Sequence, residues 1–419
     1  MRSLTIIAIC ICIAQAAFAQ TLLPTPIKHP GIHYDRLQRI DTFLARYVDS
    51  NWLPGAVVLV VKDNKVAYHK GFGYSNIAAK KPMPADAIFR IASQTKAITS
   101  LAIMQLFEQG KLELDQRLST IIPEFKNPKV LKRFNPADSS YTTTDASREI
   151  TIRDLLTHTS GLDYPQIGND SMMAIYAKHD IPVGLGHFNA SLLDRMKALG
   201  KLPLLHNPGE RFTYGLNTDV LGCVVEIISG QSLETYFRKN IFEPLGMRDT
   251  YFNVPAAKGN RLTTAYTEEN GRMIEWGPDS RNIDPNYPLV QKTYFSGGAG
   301  LSSTAFDYAI FLQMLLNGGS YNGRQILGRR TVELMLSPQA PDKMLGDDDM
   351  SMGFSLTSAR SADKRMISEG SFAWGGYFGT TYWADPKEKM VCLIMTQLTP
   401  NSHYQFNEKV INFIYASLK

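Results

Sequence analysis

Ser93 and Lys96 stand three residues apart at the head of a long apolar run. The local sequence is Arg90-Ile91-Ala92-Ser93-Gln94-Thr95-Lys96-Ala97-Ile98-Thr99-Ser100, and the apolar stretch 98–107 stops at Gly110. That pattern predicts a helix, with Ser93 at or near its N-terminus and Lys96 one turn along. Positions i and i+3 share a helix face, with Cβ atoms roughly 5–6 Å apart. A serine is a poor nucleophile until a neighbour takes its proton, and a lysine does so where burial or nearby positive charge favours its neutral form. The N–H groups of a first helical turn suit a developing oxyanion. The tetrad is a weak signal by itself, because about one chance match is expected in a chain this long. A second one, Ser361-Ala362-Asp363-Lys364, lies in a polar stretch and reads as a loop. On this stretch alone Ser93 could equally be a plain helix cap.

Two other stretches hold candidate chemistry. Tyr214 follows a Pro208-Gly209 turn and precedes an apolar run, so it can sit at the mouth of a helix with its hydroxyl in a cleft. A tyrosine there is a credible proton relay, or simply a half-buried corner residue. Trp374-Gly375-Gly376-Tyr377 opens a predicted strand. Its glycines would let a ligand approach the backbone, and an N–H from it could pair with that of Ser93 as an oxyanion hole. The competing reading is a bulge or turn.

Other chemistries lack their residues. The pentapeptide Gly-x-Ser-x-Gly of α/β-hydrolases is absent. So is His-Glu-x-x-His, and His29 and His33 are separated by a helix-breaking Pro30-Gly31, so no metal is expected. Gly71-Phe72-Gly73 is too short to suggest a nucleotide, and no cofactor is expected. Gly297-Gly298-Ala299-Gly300 could cradle an anion, but a tight turn before a helix fits it better. His158 reads as structural. Cys223 and Cys392, inside apolar runs, read as buried thiols.

Elements that could carry these groups follow in order. Residues 34–48 have the spacing of an amphipathic helix. Residues 56–61 and 66–68 read as a hairpin around Asp63-Asn64. Residues 97 to about 250 are mostly helical in pattern, with helices over 150–156, 191–199, 219–228 and 233–241, and 126–148 as a polar surface excursion. A helix over 305–316, strands over 380–383 and 390–395 and a final helix over 406–418 complete the chain. One sheet built from both ends, with a helical domain inserted, gives an α/β (α+β) fold. The sheet part would take about 33–92 and 286–419, and the helical part about 97–285. A site at their seam is the usual place.

The chain has 419 residues, 44% hydrophobic and 20% charged, with a formal charge of +5 that is spread out. Without a basic block, nucleic acid is a poor guess. Residues 1–19 have the plan of a signal peptide: Arg2, an apolar run, then Ala17-Phe18-Ala19 as a cleavage site before Gln20. The run is too short to span a bilayer, so an exported protein without membrane insertion is expected. The oligomeric state stays open.

Taken together, the sequence resembles the serine β-lactamase and penicillin-binding-protein superfamily over roughly residues 33–418. It is most similar to the branch of class C β-lactamases, D-amino-acid peptidases and β-lactamase-like carboxylesterases. Besides the Ser93 tetrad, the resemblance rests on Ile150-Thr151-Ile152-Arg153-Asp154-Leu155-Leu156-Thr157-His158-Thr159-Ser160-Gly161-Leu162 and on Phe242-Glu243-Pro244-Leu245-Gly246-Met247. It implies a β-lactamase/DD-peptidase-like fold: an antiparallel sheet flanked by helices, with an all-helical insertion. It also implies Ser93 as acylated nucleophile, Lys96 as its partner and Tyr214 as the first residue of a Tyr-x-Asn element. The oxyanion hole falls at the N–H groups of Ser93 and Tyr377. Two departures matter. Leu216 occupies the Asn place, with Asn217 one later, and Trp374-Gly375-Gly376 replaces Lys-Thr-Gly, as in the esterase-like branch. The expected substrate is therefore a small ester or amide. The alternatives are a β-lactamase, a D-amino-acid peptidase, or a sensor-like module that acylates without turnover.

Overall fold

The computed structural model describes residues 21–186, 189–277, 283–339 and 346–419. The expected leader, 1–19, lies outside them. Strand β1, Gly55–Lys62, is the centre of the molecule. Its sequence, GAVVLVVK, is apolar without alternation because both faces of the strand are covered. Val57, Leu59 and Val61 enter one core and Ala56, Val58 and Val60 the other. Asp63 and Asn64, at φ +48° and +59°, make the tight turn into β2, Lys65–Asn76. Two left-handed residues give the twist that a two-residue hairpin needs.

The remaining strands are β3 (Lys81–Pro82), β4 (Asp349–Met350), β5 (Ser355–Leu356), β6 (Phe372–Gly375), β7 (Thr381–Asp385) and β8 (Met390–Met395). Their spatial order is β4-β5-β6-β7-β8-β1-β2-β3, and the pairs are antiparallel. The sheet therefore joins both ends of the chain, as the sequence pattern predicts. One face packs on the terminal helices Arg39–Asp49 and Phe406–Ala416. The other packs on helix Thr95–Glu108, whose residues 95–106 are all buried, and on Ala305–Leu316.

Four expectations change. The helix expected over 34–48 divides into Tyr34–Leu37 and Arg39–Asp49. The polar excursion is a β-hairpin, Lys129–Asn135 with Ser140–Asp145. It is mostly exposed, so no apolar alternation marks it in the sequence. Ser361 lies in a short helix, Ala359–Ala362, started by the Ser358 hydroxyl, which accepts from Ser361 N. Lastly, Trp374 and Gly375 end a strand rather than open one. Among the described residues no helix is long and apolar enough to cross a membrane.

Candidate active site

The chain reaches Ser93 from the short strand Phe89–Arg90, which pairs with Ser302–Ser303. It turns at Ala92, a non-glycine residue held at φ +42°, and makes a single 3-10 turn, Ala92–Gln94, before the helix Thr95–Glu108. The cap position of that helix is Gln94, so Ser93 is not its cap. The first bond of the turn runs from Gln94 N to Ile91 O, 3.0 Å. A left-handed residue just before the serine is strained, which is common where function requires a fixed geometry.

Lys96 is 1% exposed. Its ammonium donates to Gly298 O at 2.7 Å, Tyr164 Oη at 2.8 Å and Ser93 Oγ at 3.2 Å. Three acceptors fill its three donors, so its position over Ser93 is fixed. Tyr214 Oη lies 2.6 Å from the same Ser93 Oγ. Lys96 Nζ is 4.7 Å from the centroid of the Tyr214 ring.

Tyr214 is held by the stretch 150–162. Thr151 and Asp154 form a capping box that starts the helix Ile152–Leu156. The chain then turns at His158, φ +57°. His158 O accepts from Thr213 N at 2.8 Å, and Asp163 O accepts from Leu216 N at 3.3 Å. Between them Gly215 passes so close that a Cβ would meet Leu162 O at 2.3 Å. The loop carrying Tyr214 is thus laid directly on the turn 158–163.

Asn217 does not approach Ser93. Its Nδ2 donates to His158 Nδ1 at 3.0 Å, and its Oδ1 accepts from Ser160 Oγ at 2.5 Å. The first of these bonds assigns the ring proton to Nε2. Burial above all, and then the Lys96 charge, hold His158 well below its usual range, so the ring is neutral. It lies parallel to Trp374, 6.3 Å away at 13°, and against Tyr214 at 5.0 Å. His158 is therefore a prop between the two aromatic rings.

Trp374 Nε1 donates to Tyr214 Oη at 3.4 Å, a long bond. Gly376 comes next after the strand end and fits against the serine turn. A Cβ there would meet Thr380 Oγ1 at 2.1 Å and Ile91 O at 2.5 Å. That contact brings Tyr377 beside Ala92 and Ser93, and all three line one pocket. Its other walls are Tyr164, Gln166, Ile167, Val183, Leu185, Tyr214 and Ala299. None of these side chains carries a charge.

Arg90 does not supply one. It is 2% exposed, and its guanidinium donates to Pro285 O, Thr263 O and Gln397 Oε1. Gly297 and Gly298 turn their carbonyls toward Thr99 Oγ1 and Lys96, the arrangement for a cation rather than an anion. Cys223 and Cys392 are buried free thiols. Among the described residues no His, Cys, Asp and Glu cluster could hold a metal.

Sequence reasoning missed Tyr164 and Gly298, which supply two of the three Lys96 acceptors. Tyr164 follows the 150–162 stretch by two residues, and that proximity was the available signal.

The chain is similar to known proteins over most of its length. The family model described as Beta-lactamase matches residues 40–415. Esterase EstB of Burkholderia gladioli is 28% identical over 382 residues, covering 85% of this chain and 89% of its own. A putative D-alanyl-D-alanine carboxypeptidase of Escherichia coli (strain K12) is 27% identical over 414 residues, covering 93% and 88%. Among solved structures, EstCE1, a hydrolase with promiscuous acyltransferase activity, matches at a TM-score of 0.77 and 26% identity, covering 91% of this chain and 99% of that one.

Proposed function

The chain belongs to the beta-lactamase family of serine hydrolases, and on that premise we propose that it hydrolyses small neutral esters through an acyl-enzyme on Ser93. The observation that carries this reading is the pocket beside Ser93, whose described lining has no charged side chain. Ser93 Oγ attacks the ester carbonyl. Its proton passes to the Lys96–Tyr214 pair and then to the departing alkoxide. The N–H groups of Ser93 and Tyr377 receive the oxyanion. Water then attacks the acyl-enzyme and frees Ser93. Trp374 stands where the lactamase branch carries a lysine. It offers apolar area and one N–H in place of a charge for a substrate carboxylate.

A second reading, a D-amino-acid peptidase, is supported by the likeness to the E. coli protein of that name. A side-by-side assay with a short-chain nitrophenyl ester, a D-Ala-D-Ala peptide and a chromogenic cephalosporin separates these readings. Fastest turnover of the ester supports the proposal. Fastest turnover of the peptide or the cephalosporin overturns it, and a stoichiometric burst without turnover indicates an acylating sensor.

We further propose export, with residues 1–19 as the leader. Secretion of the full chain should yield a mature N-terminus at Gln20, read by N-terminal sequencing. An intact Met1 in the cytoplasmic fraction would oppose it.

A further inference from the structure

Lys96 is a buried cation whose three hydrogen-bond acceptors are neutral groups. A charge out of water is costly unless another charge compensates it. Asp219 is the carboxylate behind it. It is fully buried in the first turn of the helix Asn217–Ser229. The two do not touch, because the Gly298 peptide stands between them. Lys96 Nζ donates to Gly298 O, while a Cβ on Gly298 would lie 2.4 Å from Asp219 Oδ2. Asp219 Oδ1 accepts from Ser296 Oγ at 2.7 Å and from Tyr294 Oη at 3.3 Å. Ser296 Oγ in turn accepts from Ala299 N at 3.0 Å, so the carboxylate also anchors the 296–300 turn. Asp219 Oδ2 has no side-chain hydrogen-bond partner among the described residues and faces the Gly298 peptide, whose N–H also favours the charged carboxylate.

We propose that Asp219 is a positioning residue, the buried counter-charge of Lys96, and that through Ser296 it also holds the Gly298 carbonyl against the lysine. The groups facing Asp219 are Ser296, Tyr294, Lys96 and Tyr164. Those facing Lys96 are Tyr164, Tyr214, His158 and Asp219. Among these described residues Asp219 is the carboxylate. Burial raises the Asp219 carboxyl, and the Ser296 hydroxyl and the Lys96 charge pull it back. The sign follows from linkage. A carboxyl raised in the folded state favours folding at low pH, and that contribution is lost as pH rises through its folded value. Without the lysine the raising is larger, so the loss on going to higher pH is larger.

The test compares Lys96→Met, Asp219→Asn, the double variant and Ser296→Ala. Melting temperatures are read from about pH 5 to about pH 8, above the range of an ordinary carboxyl. Lys96→Met should melt below wild type, with a deficit that grows with pH, and the double variant should recover most of it near pH 8. A deficit independent of pH, and additive with that of Asp219→Asn, overturns the proposal. This arm needs no activity, so it stands even if the ester reading fails, and it survives if Asp219→Asn alone does not fold. The second arm measures fluorophosphonate labelling of Ser93 against pH. In Asp219→Asn, which removes the buried counter-charge, the pH profile of labelling should shift relative to wild type. Ser296→Ala keeps both charges but loosens the Gly298 carbonyl, so it should slow labelling while moving the pH profile less than Asp219→Asn does. A pH profile unmoved in Asp219→Asn opposes the counter-charge, and one moved equally by Ser296→Ala assigns Asp219 a merely structural role.

Discussion

Ser93 Oγ is held between Tyr214 Oη at 2.6 Å and Lys96 Nζ at 3.2 Å, one from a loop 121 residues away and one from the next helical turn. A hydroxyl placed between two proton-transfer groups is set for attack. A fluorophosphonate probe should therefore label the wild type, with the added mass on the peptide containing Ser93. Ser361 is 1% exposed and its hydroxyl accepts from Arg365, so it should stay unlabelled. Undiminished label in Ser93→Ala would remove Ser93 from the mechanism.

Lys96→Ala and Tyr214→Phe should each lower kcat by about 10²–10⁴-fold with the fold retained. The double variant should fall little further, because groups that act on one hydroxyl are not independent. Steady-state kinetics with the nitrophenyl ester, alongside circular dichroism, decide it. Near-normal kcat in Tyr214→Phe would make the tyrosine structural.

Tyr164→Phe removes one Lys96 acceptor and leaves the ring in place. Hydrogen bonds to charged groups are worth about 1.5–3 kcal/mol, which corresponds to about 10–100-fold in kcat if the lysine loses its aim. An unchanged kcat with lowered thermal stability would show that Tyr164 only packs.

Trp374→Lys should narrow the gap in kcat/KM between esters and carboxylate-bearing substrates. It introduces a charge and removes an apolar wall worth about 25 cal/mol per Å² of buried surface. It also removes the donor to Tyr214 Oη, so ester turnover should fall as cephalosporin or peptide turnover rises. A gap that stays the same, measured on one enzyme preparation, would contradict the role given to Trp374.

Lys292 gives a pH test remote from Ser93. Burial lowers it to about 7, and its neighbours are Phe252 O, Asn253 Oδ1 and Tyr287 O, all uncharged. Its pKa is depressed in the folded state, so its contribution to stability is complete above the unfolded value. That contribution declines as pH falls toward about 7 and is fully lost below. Relative to Lys292→Met, the wild type should lose stability between about pH 10 and about pH 7 and show no further relative loss below. Urea melts at several pH values check this, and parallel curves for the two proteins would refute it.

The sequence by itself determined what local spacing controls. The three-residue step from Ser93, in the 3-10 turn, to Lys96, in the first turn of the following helix, is a local spacing, and the apolar run behind it marked the helix. The central strand and its Asp63-Asn64 turn were legible for the same reason, as were the helix Ala305–Leu316 and the strand Met390–Met395, both matched to the residue. Tyr214 was legible through the resemblance, but nothing near it in the chain says that its hydroxyl meets Ser93.

Tertiary structure decided everything that depends on two distant segments approaching. Tyr164 reaches Lys96 across 68 residues and Gly298 across 202. Asn217 carries a familiar residue type one place late, and only the turn at His158 shows that it braces a histidine instead of facing the nucleophile. The glycines at 298 and 376 each read as turn residues, yet each is required where a neighbouring backbone or side chain leaves no room for a Cβ, as is Gly215. Such constraints arise from close packing between elements, and a one-dimensional pattern records which residues are small without recording what they press against.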